Sequence, residues 1–171
     1  MVMHQRRSYR LPMEGLLFVG VTLLIGLAAM NTSAQLLYLV FSMMCSFWVL
    51  SAVLATSTMR RLRIERVPPQ LTTAGQATRV LVSVSNKKRF FSSFSLRIRD
   101  YDDAGNLVGA GFFPRIKPRG TGEIEYDCVF PRRGVYRFGS VVVSTRFPFG
   151  LIQRSLILNV PAEVVVLPQT I

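Results

Sequence analysis

The stretch GLLFVGVTLLIGLAAM-NTSAQ-LLYLVFSMMCSFWVLSAVLATSTM, residues 15–59, carries no charged side chain anywhere along its length. It divides into two apolar runs, Gly15–Met30 and Leu36–Met59, around the polar Asn31-Thr32-Ser33-Ala34-Gln35. A helix needs about 20 mostly apolar residues to cross the hydrocarbon core of a bilayer. Leu36–Met59 reaches that length unaided. Gly15–Met30 reaches it when the helix starts near Leu11 or Pro12, which places Glu14 one turn inside, close enough for its carboxylate to reach back to the headgroups. The competing reading, a buried helical hairpin of a soluble protein, fits poorly because so long an uncharged span is rare outside membranes. The expectation is a transmembrane hairpin over residues 11–59, with helices spanning residues 12–30 and 36–58.

Charge on either side of the hairpin orients it. Arg6, Arg7 and Arg10 precede the first run, Arg60, Arg61, Arg63 and Arg66 follow the second, and the turn between them has none. Positive flanks favour the cytoplasmic side, so both termini are expected there, with residues 1–10 as a basic cytoplasmic tail. Part of the net charge of +12, from 21 Lys and Arg against 9 acids, is therefore topological. The first run does not read as a cleaved signal peptide, because Ala28-Ala29 leads into a second apolar run rather than a soluble mature region. Asn31-Thr32-Ser33 matches a glycosylation acceptor but lies too close to the membrane to carry weight. Thr22 with Gly26, and Ser42 with Ser46, are small residues four apart at similar depth. That spacing suits close backbone approach and hydroxyl bonding between helices.

After Met59 the hydrophobic period changes to two. Arg61–Val67 reads as a strand ending at Pro68-Pro69, and Arg79–Ser85 aligns Val80, Val82 and Val84 on one face. Ser93–Arg99 points Phe94, Leu96 and Ile98 inward and Ser95, Arg97 and Arg99 outward. Asp102–Asn106 is a turn into Leu107–Ile116. In Thr121–Phe130, Glu123, Glu125 and Asp127 alternate with Ile124, Tyr126, Cys128 and Phe130. Val135–Thr145, Leu151–Leu158 and Ala162–Leu167 complete the set. Short strands without an amphipathic helix describe an all-β, immunoglobulin-like sandwich of 7–8 strands over residues 60–171, a length that supports one core. Cys45 and Cys128 lie far apart in separate regions, so no disulfide framework is implied, as suits a reducing compartment.

Chemistry is hard to place in this domain. The only histidine is His4, so the domain has neither a histidine base nor a histidine metal site. There is no phosphate loop, and Gly109-Ala110-Gly111 lies within a strand rather than between a strand and a helix. Asp100-Tyr101-Asp102-Asp103-Ala104-Gly105 lacks the ligand pattern of an EF-hand and reads as a hairpin turn. Glu123, Glu125 and Asp127 read as a solvated strand face. The expectation is a non-enzymatic protein without catalytic residues, metal or cofactor. The basic residues Lys87, Lys88 and Arg89, followed by Phe90-Phe91, together with Arg115, Lys117, Arg119, Arg132 and Arg133, suit either anionic lipid headgroups or nucleic acid. The adjacent hairpin favours lipid headgroups and makes nucleic acid the weaker alternative.

From Pro131 the chain becomes recognisable. Pro131-Arg132-Arg133-Gly134-Val135-Tyr136-Arg137-Phe138-Gly139, Ser144-Thr145-Arg146-Phe147-Pro148-Phe149-Gly150-Leu151 and Val164-Val165-Val166-Leu167-Pro168 resemble the bacterial family called domain of unknown function 58. Glu14-Gly15, Asn31-Thr32 before Leu36-Leu37-Tyr38, and Arg63-Ile64-Glu65-Arg66 are similar to it as well. The resemblance implies a multi-pass protein of the bacterial inner membrane with a cytoplasmic β-domain. It also implies association with a MoxR-type AAA+ ATPase, for which the chain would be an adaptor or assembly factor. Members of the family usually continue into a von Willebrand factor A-like domain, which holds their metal site. The sequence is expected to lack that domain or to be truncated before it. Within the shared block, Arg133, Gly134, Tyr136, Phe138 and Gly139 are expected to shape a hairpin. Phe147, Pro148, Phe149 and Gly150 are expected to make a sharp reversal with buried aromatic anchors, with Pro148 a candidate for a cis bond.

Overall fold

The uncharged stretch folds as two helices packed side by side, α1 (Met13–Thr32) and α2 (Gln35–Met59). The computed structural model describes residues 5–32, 34–69 and 71–168; His4, Ser33 and residues 169–171 of the sequence reading lie outside them. Pro12, whose missing N–H costs nothing at a helix start, precedes α1, and its carbonyl accepts from Leu16 N–H at 3.1 Å. At 1.5 Å per residue the helices are about 30 and 37 Å long. Leu16, Leu17, Leu23, Leu24 and Leu27 on α1, and Leu36, Leu39, Val49 and Val53 on α2, are left exposed. Both helices are long and apolar enough to cross a membrane, with only 17% and 11% of their most apolar windows buried by protein.

Contact between the helices is made by shape rather than by hydroxyls. A Cβ on Gly26 would lie 2.8 Å from the Phe41 ring, so Phe41 fills the space that glycine leaves. The expected interhelical hydroxyl bonds do not form. Thr22 donates to Phe18 O, Ser42 to Leu39 O and Ser46 to Ser42 O, each within its own helix. Carbonyls one turn back are the nearest acceptors, and they satisfy these side chains locally.

The β-domain comprises β1 (Gln5–Arg10), β2 (Leu62–Val67), β3 (Leu71–Thr73), β4 (Ala77–Asn86), β5 (Ser93–Asp102), β6 (Leu107–Ile116), β7 (Thr121–Val129), β8 (Gly134–Thr145) and β9 (Gln153–Leu167). One sheet runs β1-β9-β8-β5-β6, with β3 pairing β9 in parallel; the other runs β2-β4-β7. Two corrections follow. Residues 5–10 are not merely a tail: β1 pairs antiparallel with β9, from Gln5 opposite Leu158 to Arg10 opposite Gln153. Both ends of the helical hairpin therefore feed the same sandwich. Residues 151–158 and 162–167 are not separate strands but one strand of 15 residues. Pro161 is tolerated there because the β8–β9 register shifts between Phe138 and Ser140, leaving Val160 and Pro161 outside the ladder.

The two sheets close over Ile64, Val82, Val84, Leu96, Ile98, Val141, Val143, Leu156 and Leu158, with a second cluster around Val80, Phe130, Phe138, Val164 and Val166. Period-two alternation produced this core: β4 buries Val80, Val82 and Val84 as expected. Between the clusters lies a charged network. Arg66 on β2 grips Asp100 on β5 bidentately, its Nε 2.9 Å from Oδ2 and a terminal nitrogen on Oδ1. Tyr126 O–H donates to the same carboxylate at 2.6 Å, and the guanidinium lies 4.8 Å from the centre of the Phe138 ring. Neither side chain of the ion pair is accessible to solvent. Arg66 is thus a core residue, not one of the flanking cations. Its negative partner also pushes the Tyr126 hydroxyl pKa upward, though burial is the larger cause.

Strand direction gives the sandwich two ends. The exit of α2, residues 87–92, 117–120 and 146–152, and the junction of β1 with α1 share one end. The 103–106 turn and residues 130–133 share the other.

Candidate functional site at the helix exit

Met59 closes α2 against the sandwich, and the last carbonyls of a helix carry the negative end of its dipole without intrahelical partners. Lys88 supplies those partners. Its Nζ donates to Ser57 O, Thr58 O and Ser93 Oγ, each at 2.8 Å. Lys88 is therefore buried, which removes it from the basic surface where the sequence reading placed it. Burial pushes its ammonium pKa down to about 8. Behind it, the fully buried Asn86 donates to Phe91 O, Ile116 O and Lys117 O and accepts from Lys88 N–H. Lys87 N–H donates to Arg61 O at 3.0 Å and Arg119 N–H to Lys88 O at 3.2 Å. Three loops are thereby locked around the end of α2.

That lock displays a cationic, aromatic rim. Lys87, Arg89, Arg115, Lys117 and Arg119 are exposed, as the sequence reading expected, and Arg10, Arg60, Arg61 and Arg146 are exposed at the same end. Phe90 and Phe91 are 77% and 64% exposed, with the Arg89 guanidinium 5.4 Å from the Phe90 ring centre. No carboxylate occurs in residues 87–92, 117–120 or 146–152. Glu123, Glu125 and Asp127 lie along β7, where Arg79 pairs with Glu125 at 3.2 Å and Asp127 at 3.8 Å. They form the solvated face that alternation implied.

The aromatic reversal of residues 146–151 also belongs to this end. Phe147–Pro148 is a cis peptide bond, and Gly150 takes a φ of 72° that favours glycine while its N–H donates to Arg146 O. Phe147 stacks on Phe94 with ring centres 4.8 Å apart. Phe149, expected as a buried anchor of this reversal, is 49% exposed and packs edge-on against Phe47 of α2 at 5.3 Å. On the other helix, a Cβ on Gly15 would stand 2.1 Å from Leu151 O, so only glycine admits this loop against α1.

The other half of the shared block is remote from it. Arg133, Gly134, Tyr136, Phe138 and Gly139 lie at and beyond the far half of β8. There Tyr136 packs on Phe130 at 4.7 Å and accepts from Arg132 N–H, Phe138 is buried, and Gly139 marks the β8 register shift. Cations beside exposed aromatics have the chemistry to meet an anionic interface, by charge and by apolar burial.

No family model and no curated protein matches the chain. Among solved structures it is similar to the CARDB domain of a Pyrococcus furiosus protein, crystallised in complex with di-metal ions. Identity there is 15% and the TM-score 0.45, over 62% of this chain and 87% of that one. The solution structure of the same domain gives 15% and 0.45, over 62% and 94%. The C-terminal domain of wzt gives 12% and 0.42, over 64% and 75%.

Proposed function

We propose that this chain is a membrane-anchored, non-catalytic interaction module. In this reading α1 and α2 cross the bacterial inner membrane, both termini and the sandwich are cytoplasmic, and the far end of the sandwich faces protein partners. One observation supports it most: the exposed rim of cations and phenylalanines surrounds the point where the uncharged helices leave the domain. An anionic cytoplasmic leaflet attracts juxtamembrane Lys and Arg by about 1 kcal/mol each. The length of α2 fits as well. Its 25 residues exceed the roughly 20 needed to cross, leaving a last turn clear of the hydrocarbon for Lys88 to cap. With β1 and β9 paired, a crossing hairpin returns the chain to the side from which it left.

The rim is tested in the full chain, embedded in nanodiscs, with an environment-sensitive dye on a single cysteine replacing Phe90 and with Cys45 and Cys128 changed to Ser. Anionic phosphatidylglycerol discs should shift the dye emission to the blue relative to neutral discs. High salt, or Lys87→Gln with Arg89→Gln, should reverse that shift. Emission indifferent to lipid charge rejects the rim as a headgroup contact.

The adaptor role rests on the family resemblance and on the shape of the far end. There Val108, Cys128, Phe130, Tyr136 and Phe138 contribute to a pocket of about 340 Å³. A MoxR-type AAA+ ATPase is the first partner to try. Because specific protein interfaces rely on buried apolar anchors more than on screened charge, the ATPase should co-purify from detergent extracts at salt that abolishes the dye shift. Its loss under those conditions would count against the adaptor role and leave the membrane anchor standing.

A further inference from the structure

Three arginines that no carboxylate offsets gather around one pocket on the outer face of the larger sheet. Arg97 and Arg99, two apart on β5, project to the same side. The register sets Arg97 between Phe112 and Ser144 and Arg99 between Ala110 and Val142, with Ser155 and Ile157 one strand further on. None of these neighbours is acidic. Arg63, Arg66, Arg79 and Arg137 each hold a carboxylate, whereas Arg97, Arg99 and Arg146 pair with none among the described residues. Like charges side by side on a sheet destabilise it, so this cluster gains from an anion.

The cluster lines a pocket of about 100 Å³, together with Ser95, Phe112 and Gln153, and its walls are held from behind. The buried Thr145 hydroxyl donates to Phe94 O at 3.1 Å and accepts from Phe147 N–H at 3.2 Å, fixing the backbone on both sides of Arg146. Arg146 Nε then donates to Gln153 Oε1 at 2.9 Å, which orients the guanidinium plane. On the opposite wall, Ser95 has a φ of 51° and lies opposite Pro114, between the Phe94–Arg115 and Leu96–Phe113 pairs. A positive φ on a non-glycine residue within a strand is a costly backbone state of the kind that clusters at binding sites.

We propose that this pocket binds a phosphate monoester. Planar guanidinium forks match phosphate oxygens in pairs, and three of them suit a dianion. The volume is well below the 300–1,000 Å³ of a site enclosing a whole organic ligand, so it takes the phosphoryl group alone. The remainder of the molecule lies along the open face beside the exposed Phe112. Arg146 begins the helix-proximal loop, so a lipid phosphate and a soluble phosphate ester both reach the pocket. The site shares Arg146 with the helix-exit end but not Lys87 or Arg89, so variants at those two positions separate it from the juxtamembrane rim.

The test uses the full chain in neutral phosphatidylcholine discs titrated with inorganic phosphate, followed by phosphorus NMR against chloride at equal ionic strength. A parallel arm carries phosphatidic acid in the discs, with phosphatidylglycerol as the phosphodiester control. Saturable binding of inorganic phosphate identifies a soluble ligand; binding of phosphatidic acid alone identifies a lipid headgroup. In either case Arg97→Gln with Arg99→Gln, or Arg146→Gln alone, should weaken binding at least tenfold. All three positions are exposed, so an unchanged melting temperature confirms folding. Lys87→Gln with Arg89→Gln should leave this binding intact. Absence of saturable binding in both arms, or equal affinity in the Arg97/Arg99 variant, overturns the proposal.

Discussion

Asp100→Ala should destabilise the full chain in detergent by about 3–5 kcal/mol, as expected when one partner of a buried ion pair is removed. The carboxylate receives two guanidinium nitrogens of Arg66 and the Tyr126 hydroxyl, deep between the sheets. Without it the guanidinium keeps its charge, because arginine does not deprotonate in a protein. It then faces Phe138 and the Val160 carbonyl with no counter-ion. Urea unfolding followed by far-ultraviolet circular dichroism measures the loss. Replacing both partners, Arg66→Met with Asp100→Leu, should recover most of it, since two apolar side chains carry no desolvation penalty. A single Asp100→Ala variant as stable as the parent would show that solvent reaches the pair.

Phe138→Ala should cost about 3–5 kcal/mol, the range for emptying a buried aromatic site. Its ring is buried, meets Phe130 edge-on at 6.3 Å and lies under the Arg66 guanidinium. Because it shares Arg66 with Asp100, the double variant Phe138→Ala with Asp100→Ala should lose less than the sum of the single losses. The same urea titration tests both statements. Additive losses would mean that ring and carboxylate act on Arg66 independently, and a loss below 1 kcal/mol would mean the ring is not a core anchor. Both experiments require the entire chain, because β1 precedes the helices and a fragment starting after Met59 lacks a strand of the larger sheet.

The aromatic pair Phe138 and Phe149 shows where reading from sequence stopped. Both sit in the recognisable block, where Phe138 reads as shaping a hairpin and Phe149 as a buried anchor of the reversal that follows. Their β8-to-β9 neighbourhood instead places them at opposite ends of the domain, one in the core and one on α2. Lys87, Lys88 and Arg89 read as equivalent cations, yet the last carbonyls of α2, about 30 positions away in the chain, select Lys88 alone for burial.

The helices and most of the strands were determined by the sequence itself. An uncharged run of bilayer length and a period-two alternation of apolar side chains are local properties, legible wherever the backbone repeats its geometry. The acidic face of β7 and the turn at Asp102–Asn106 were legible for the same reason. Tertiary structure alone decided the rest. Gln5–Arg10 has no apolar alternation because it joins the sheet by backbone pairing at an edge, so nothing in its side chains announces β1. The strand through Pro161 stays continuous because a register shift leaves that residue out of the ladder. Arg66 and Asp100 become a core pair only when strands 34 residues apart face one another. The basic rim and the three-arginine pocket exist only because pairing gathers cations from separate strands and loops that are far apart in the chain.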